Sequence, residues 1–395
     1  MIYRIVLFCT VVIFSVSYSE TFEEILDRAL KESPQLKSYR FETQTVEGEI
    51  KSAQAFPNPE LFVQFGRLYT QTEENGLNIT EFSINQPLKL WGTRKKAIEK
   101  ALLKKSAFES LFDLKKREFT GELYSAFYST LYLKEVLHIK EKEFKITKGI
   151  YEFVKKSYEL GEDTKLNLFR AEKDLKIAQI ELEQAKTEYT ISLQKLSALA
   201  GFEIKDTKGS LTEIKQIKEI PLEELPEIRY IQKTIQSLDK EIQLQKALAK
   251  PQIGIEFSAS EDEVDLGKYE FGIGITASVP VFYRNQGEII SILYEKKRYL
   301  SLIKQKEMVY SVKIKSLKEK YSLLTKQIEE LDRKVIPSVS QALDLGKKSF
   351  KLREITLFEL SDIRKQYIQA LTYKASLLNE LHQIYGEYIK IGGLR

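Results

Sequence analysis

Gln252-Ile-Gly-Ile-Glu-Phe-Ser-Ala-Ser260 and, after a polar break, Tyr269-Glu-Phe-Gly-Ile-Gly-Ile-Thr-Ala-Ser-Val279 decide how this chain folds. In both segments large apolar residues alternate with small or polar ones. Ile253, Ile255, Phe257 and Ala259 fall on one side of the first, and Tyr269, Phe271, Ile273, Ile275, Ala277 and Val279 on one side of the second. A period of two predicts two β-strands with one apolar face. At about nine to eleven residues each, they have the length that a tilted strand needs to cross a bilayer.

The same pattern occurs earlier, displaced by about 192 residues. Pro59-Glu-Leu-Phe-Val-Gln-Phe65 lies over Pro251-Gln-Ile-Gly-Ile-Glu-Phe257, Ser157-Tyr-Glu-Leu160 over Ser349-Phe-Lys-Leu352, and Thr164 and Leu168 over Thr356 and Leu360. Distant segments that agree on one offset indicate an internal duplication. Each copy reads as helix, β-hairpin and long helix. The first repeat covers 20–200, with strands over 60–69 and 79–87, a long helix over 93–156 and a return helix over 163–200. A breaker-rich segment, 201–225, joins it to the second repeat, 226–395, with strands over 252–260 and 269–279, a long helix over 284–351 and a return helix over 355–390.

The opening helix is expected to run from Phe22 to Ala55, where Pro57 and Pro59 stop it; Pro251 stops its counterpart. The first long helix contains no proline, only Gly121 and Gly149 as breakers, and would reach roughly 95 Å at ~1.5 Å per residue. Three- and four-residue steps link Ile314, Leu317, Tyr321, Leu324, Ile328, Leu331 and Val335, and Leu168, Ala171, Leu175, Ala178, Leu182 and Ala185, which is coiled-coil spacing. Pro337 should bend the second long helix or end its regular part.

The first nineteen residues carry one basic residue, Arg4, then an apolar run from Ile5 to Phe14, with Ser17 and Ser19 at the small positions before Glu20. That is the pattern of a cleavable export signal. Cys9, the only cysteine, lies inside it, so the exported chain would have no thiol and no disulfide. Phe8 is too large for the position before a lipidated cysteine. The net charge of +5 is mild and argues for no nucleic-acid partner. The 30% of charged residues fits a chain that is mostly solvated helix. No later stretch supplies the ~20 apolar residues of a spanning helix, so membrane entry would have to be as a β-barrel. Four strands cannot close one, since the smallest have about eight; several chains would have to pool theirs, with cyclic symmetry. A secreted or periplasmic coiled-coil scaffold is the alternative, and it requires water-exposed hairpins.

On these residues the chain resembles the TolC-type outer-membrane efflux proteins. Thr21-Phe-Glu-Glu-Ile-Leu-Asp-Arg-Ala-Leu-Lys-Glu-Ser-Pro34-Gln-Leu36 is similar to the family's opening motif, Pro57-Asn-Pro59 to its helix-to-strand junction, and Tyr158-Glu-Leu-Gly161 to its helix–turn–helix. Gln86-Pro-Leu-Lys-Leu-Trp-Gly-Thr-Arg94 and Val279-Pro-Val-Phe-Tyr-Arg-Asn-Gln-Gly287 look like its two strand-to-helix junctions, the second closest to the branch working with metal-cation or drug pumps. The resemblance implies a mainly α fold with a trimeric twelve-stranded β-barrel and a long α-helical periplasmic barrel. The implied role is the exit duct of a tripartite efflux or type I secretion system. It also implies a homotrimer in outer-membrane lipid, a periplasmic adaptor and an inner-membrane pump as partners, and no cofactor.

No catalytic constellation is present, and His138 and His382 are expected to be ordinary satisfied or solvated helix residues. The resemblance places an acidic ring at the periplasmic entrance on Glu359 and Asp362, which share a helix face. Their first-repeat equivalents are Asn167 and Arg170, so the acid pair is not repeated. Arg170 would be an opposing charge that latches neighbouring tips, with ordinary surface pairing as the alternative. Adaptor contact is implied at Tyr158, Leu160, Gly161 and Thr164, and at Leu352, Arg353 and Thr356. Arg353 stands where the family has glycine.

Overall fold

The computed structural model describes residues 19–70, 73–262 and 269–393; the expected export signal, all but its last residue, lies outside them. The element order is α1 (Phe22–Glu32), α2 (Pro34–Gln54), β1 (Glu60–Thr70), β2 (Glu73–Pro87), α3 (Thr93–Glu159), α4 (Lys165–Ala200), α5 (Pro226–Leu248), β3 (Gln252–Asp262), β4 (Glu270–Ser278), α6 (Gln286–Glu330), α7 (Ile336–Lys351) and α8 (Leu357–Ile391). The fold is mainly α with one four-stranded sheet.

The opening helix is two helices rather than one. Pro34 disfavours the α conformation of the residue before it, and Ser33 sits at φ −55°, ψ 122°, so the chain breaks there and restarts. β2 begins six residues earlier than the alternation suggests, because its outer part pairs with β1 through Leu68↔Leu77. Gly121 does not interrupt α3. It lies where α3 crosses α8: a methyl group on it would collide with the Gly386 carbonyl, and one on Gly386 with the Ser125 side chain. Pro337 neither ends nor sharply breaks its helix; instead a π-turn, Leu331–Val335, precedes it. Proline cannot donate to the carbonyl one turn back and its ring crowds that carbonyl; the wider turn relieves this, with the Ile336 N–H reaching Leu331 O.

The chain divides into two compact units. The first consists of the chain up to Lys37, Lys116–Glu219 and Lys313 onward. Its core is aromatic: Phe22, Tyr124, Phe127 and Tyr128 pack against His382 and Tyr385. The segment after α4 has almost no regular structure, so side chains satisfy its backbone. His382 bonds to Leu211 O (2.9 Å), Tyr388 to the Lys218 N–H and carbonyl, Tyr321 to Lys215 O, and Lys134 to Thr207 O (2.7 Å).

The second unit, Ser38–Lys115 and Ile220–Val312, carries the sheet. Its strands are antiparallel in the order β1-β2-β3-β4. All four helix connections therefore leave one end, and both hairpin loops the other. The register aligns Leu61, Ile84, Phe257 and Ile273 in one row, and Val63, Phe82, Ala259 and Phe271 in the next. The opposite face holds Phe62, Ser83, Ser258 and Gly272, then Gln64, Glu81, Ser260 and Glu270. The burial is inverted relative to a sheet in water: Phe271 is 82% exposed and Ile273 80%, whereas Ser83 is 3% exposed.

Candidate functional site

Two helix turns, α3 to α4 and α7 to α8, are built alike from different residues. In the first, the Leu160, Gly161 and Glu162 N–H groups donate to the carbonyls of Lys156, Tyr158 and Ser157. In the second, those of Leu352, Arg353 and Glu354 donate to Lys348, Phe350 and Ser349. Each turn needs one left-handed residue, Gly161 at φ +76° and Arg353 at φ +63°. Glycine adopts this at no steric cost and arginine does not. Arg353 gains a partner in return, since its guanidinium reaches Glu162 of the first turn at 2.7 Å. The two turns are thereby tied together, and Tyr158, Leu160, Thr164, Leu352 and Thr356 lie beside that link, with Leu160 and Leu352 exposed.

Both return helices start on threonine caps. Thr164 Oγ1 accepts from the Asn167 N–H (3.2 Å) and Thr356 Oγ1 from the Glu359 N–H (3.3 Å). Glu359 closes a full capping box, its carboxylate accepting from the Thr356 N–H (2.7 Å) and hydroxyl (2.8 Å). The Thr356 backbone and side-chain donors hold the Glu359 carboxyl below the usual carboxylate range. Asp362 is exposed and accepts from Gln366 Nε2 (2.7 Å). Arg170 is exposed and has no hydrogen-bond or ion-pair partner among the described residues.

Sequence reasoning missed a buried junction two turns further in. Arg364 on α8, 4% exposed, donates to Thr147 Oγ1 on α3 and pairs with Asp174 on α4 (3.4 Å), while the Ser361 hydroxyl bonds the same carboxylate (3.3 Å). Three helices meet on one guanidinium, whose Nε has no partner. The signal was available: Leu357, Leu360, Arg364, Tyr367 and Leu371 follow three- and four-residue steps, so a charge occupies the buried stripe. Beside this junction, α3 and α7 border a groove of about 610 Å³, with Ile146, Ile150 and Leu343 among its walls and Lys142, Lys145 and Lys347 along it.

Neither histidine belongs to a reactive group. His138 is exposed against Glu141, while His382 is buried between the Tyr124 hydroxyl (2.8 Å) and Leu211 O, stacked on Tyr128. Burial pushes His382 down to about 4, so it is neutral. No cluster of His, Cys, Asp and Glu among the described residues could hold a metal ion.

The family model of the outer membrane efflux proteins matches residues 25–202, from α1 through the first turn to the end of α4. Over this stretch, somewhat under half of its length, the chain is similar to the outer membrane efflux proteins. Over 373 residues it is 20% identical to the cobalt-zinc-cadmium resistance protein CzcC of Cupriavidus metallidurans, covering 92% of this chain and 87% of that one. Among solved structures, the CmeC outer-membrane channel of Campylobacter jejuni is similar at a TM-score of 0.78 and 13% identity, over 94% of this chain and 85% of that one. VceC, an outer-membrane protein of Vibrio cholerae, is similar at 0.75 and 14%, over 94% and 96%. The fold is thus that of the TolC-like outer-membrane channels. The family acts as the exit duct of tripartite efflux systems.

Proposed function

We propose that three copies of this chain pool their sheets into one twelve-stranded barrel and pass cargo outward through it, passively, for an inner-membrane pump. The inverted sheet carries the reading. A face with Phe65, Phe271, Ile273 and Ile275 outermost is stable against lipid and not against water. A water-exposed scaffold would leave that face without a partner. Unpaired outer edges at β1 and β4 cannot face lipid, and joining β4 of one copy to β1 of the next removes both.

The two turns form the periplasmic entrance in this reading, with Glu359 and Asp362 supplying six carboxylates around the axis and Arg170 meeting a neighbouring copy. A periplasmic adaptor would meet Tyr158, Leu160, Gly161, Thr164, Leu352, Arg353 and Thr356. Likeness to CzcC supports metal cations as the cargo class. Outer-membrane fractions should contain heat-dissociable trimers that conduct ions in planar bilayers. A monomer extracted without detergent and lacking conductance would refute the channel. Neutralising Glu359 and Asp362 together should reduce cation preference; unchanged selectivity would remove them from the entrance.

A further inference from the structure

At the helix end of the sheet, the cations differ in kind from those further along the helices. There, each lysine across the α3–α5 or α2–α3 contact has a carboxylate: Lys100 with Glu241 (2.7 Å), Lys240 with Glu99 (2.7 Å), Lys104 with Glu49 (2.5 Å) and Lys105 with Glu47 (3.1 Å). At the junction, among the described residues, no cation forms an ion pair, although the Glu99 carboxylate acts on Lys95 and Lys96 from one turn along α3. Lys89 Nζ donates to Ala55 O (2.9 Å), Arg94 to Gln54 O (3.0 Å), Lys96 to Trp91 O (2.7 Å) and Arg284 to Pro280 O (3.3 Å). Lys250 lies over the Trp91 ring and Arg94 over Phe56. Lys95 is exposed beside them. Carbonyls and rings orient these side chains without neutralising them.

The apolar part of the same zone is open to its surroundings. Phe282 is 98% exposed, and Phe56, Trp91, Val279, Val281 and Tyr283 are exposed with it, continuing the apolar face of the strands. Trp91 and Asn285 are held at φ +57° and +55°, so both junctions turn sharply at the strand ends. Trp91 is fixed by its indole N–H on Pro251 O (2.7 Å). Strand residues towards the opposite end of the sheet have the other sign in sequence, with Glu73, Glu74, Glu261, Asp262 and Glu270 against Arg67.

We propose that this junction is a collar for anionic phospholipid headgroups in the membrane leaflet nearest the helices. The aromatic side chains enter the headgroup–acyl boundary while Lys89, Arg94, Lys95, Lys96 and Lys250 meet phosphates. Amphipathic rings favour that depth, and long cationic side chains extend to the headgroups. Each cation near a negatively charged surface favours it by roughly a factor of five. Charge complementarity selects the occupant: a run of cations without ion-pair partners among the described residues, beside exposed aromatic residues, at one boundary of a lipid-facing sheet. The inference rests on the sheet being inserted in the membrane.

The full chain is reconstituted in phosphatidylethanolamine vesicles with or without a third of phosphatidylglycerol, and the lipid retained after detergent extraction is measured, together with conductance. Retained phosphatidylglycerol should exceed its share of the mixture several-fold. A variant with Lys89, Arg94, Lys95, Lys96 and Lys250 changed to glutamine should lose that enrichment and keep its conductance in phosphatidylethanolamine. Restoring all five positions as arginine should recover the enrichment. Enrichment that survives the glutamine variant, or none in the unaltered chain, overturns the collar. Absence of conductance in every vesicle would instead count against the channel.

Discussion

Arg353 shows what one residue can cost and keep. It occupies the left-handed position that Gly161 fills in the equivalent turn, a conformation that disfavours a side chain by roughly 1–2 kcal/mol. Its bond to Glu162 joins two half-exposed groups, and such pairs contribute about 0–1 kcal/mol. Arg353→Gly should therefore be neutral or raise stability by up to about 1 kcal/mol in thermal or denaturant unfolding, while releasing one turn from the other. The shared turn was legible in the sequence through the Ser-Tyr-Glu-Leu and Ser-Phe-Lys-Leu alignment. The ion pair was not, because no periodicity links Glu162 to a residue in the other repeat.

His382 gives a pH dependence with a definite sign. It is neutral in the fold, its pKa lowered to about 4 chiefly by burial, whereas in the unfolded chain it titrates near ~6.5. The unfolded state therefore takes up a proton first as pH falls. The contribution is complete above pH ~6.5 and declines between ~6.5 and 4, by roughly 3 kcal/mol in all. Melting curves from pH 7.5 to 4.5 should show the loss, and His382→Gln should flatten this part of the profile. An equally steep profile in the variant would assign the dependence elsewhere. The sequence left His382 open as either satisfied or solvated, and the carbonyl it serves lies in a segment whose path has no periodic signal.

Between elements, the Arg364 junction is the sharpest test. Removing Asp174 leaves a buried guanidinium without its counter-charge, which costs roughly 3–5 kcal/mol, whereas replacing both partners by apolar residues is often neutral. Asp174→Ala should lower the unfolding midpoint strongly. Arg364→Met combined with Asp174→Leu should restore much of it. A double variant as unstable as the single would mean that Thr147 and Ser361, not the charges, hold the three helices. Long helices, hairpins and the duplicated order were readable from spacing alone. The break at Ser33 was signalled by Pro34 but overridden because the helical stripe continues across it, and the Gly121–Gly386 crossing was hidden because a close helix approach has no one-dimensional signature.

For the whole molecule, the decisive property is the inverted sheet, and it predicts a position-dependent response to charge. Ile273→Lys places an ammonium among Leu61, Ile84 and Phe257 on the exposed apolar face. At a bilayer midplane this costs roughly 2–4 kcal/mol per subunit, so heat-stable assemblies in outer-membrane fractions should diminish. Ser258→Lys, on the opposite face, should assemble and alter conductance. Equal effects of the two would contradict a lipid-facing apolar side. This alternation is the feature the sequence displays most openly, in β3 and β4. Which entrance residues act in the assembly is a matter of contacts between copies, and one chain's periodicity contains none of them.

The π-turn before Pro337 has a further consequence, for counting. Leu317, Tyr321, Leu324, Ile328 and Leu331 are buried in a regular stripe, but Val335 is exposed and burial resumes at Leu343 and Gly346, one place later than the regular steps require. The turn therefore acts on α7 as a frame shift acts on a message: every residue is retained and the phase changes. Losing one residue among Asp332, Arg333 and Lys334 would bring Leu343 and Gly346 onto the regular steps, so an unbroken α-helix would carry the same buried stripe. Among relatives of this chain, a one-residue alignment gap at 331–335 would accordingly record a regular α-helix in place of the π-turn, with the apolar positions of α7 keeping their facing.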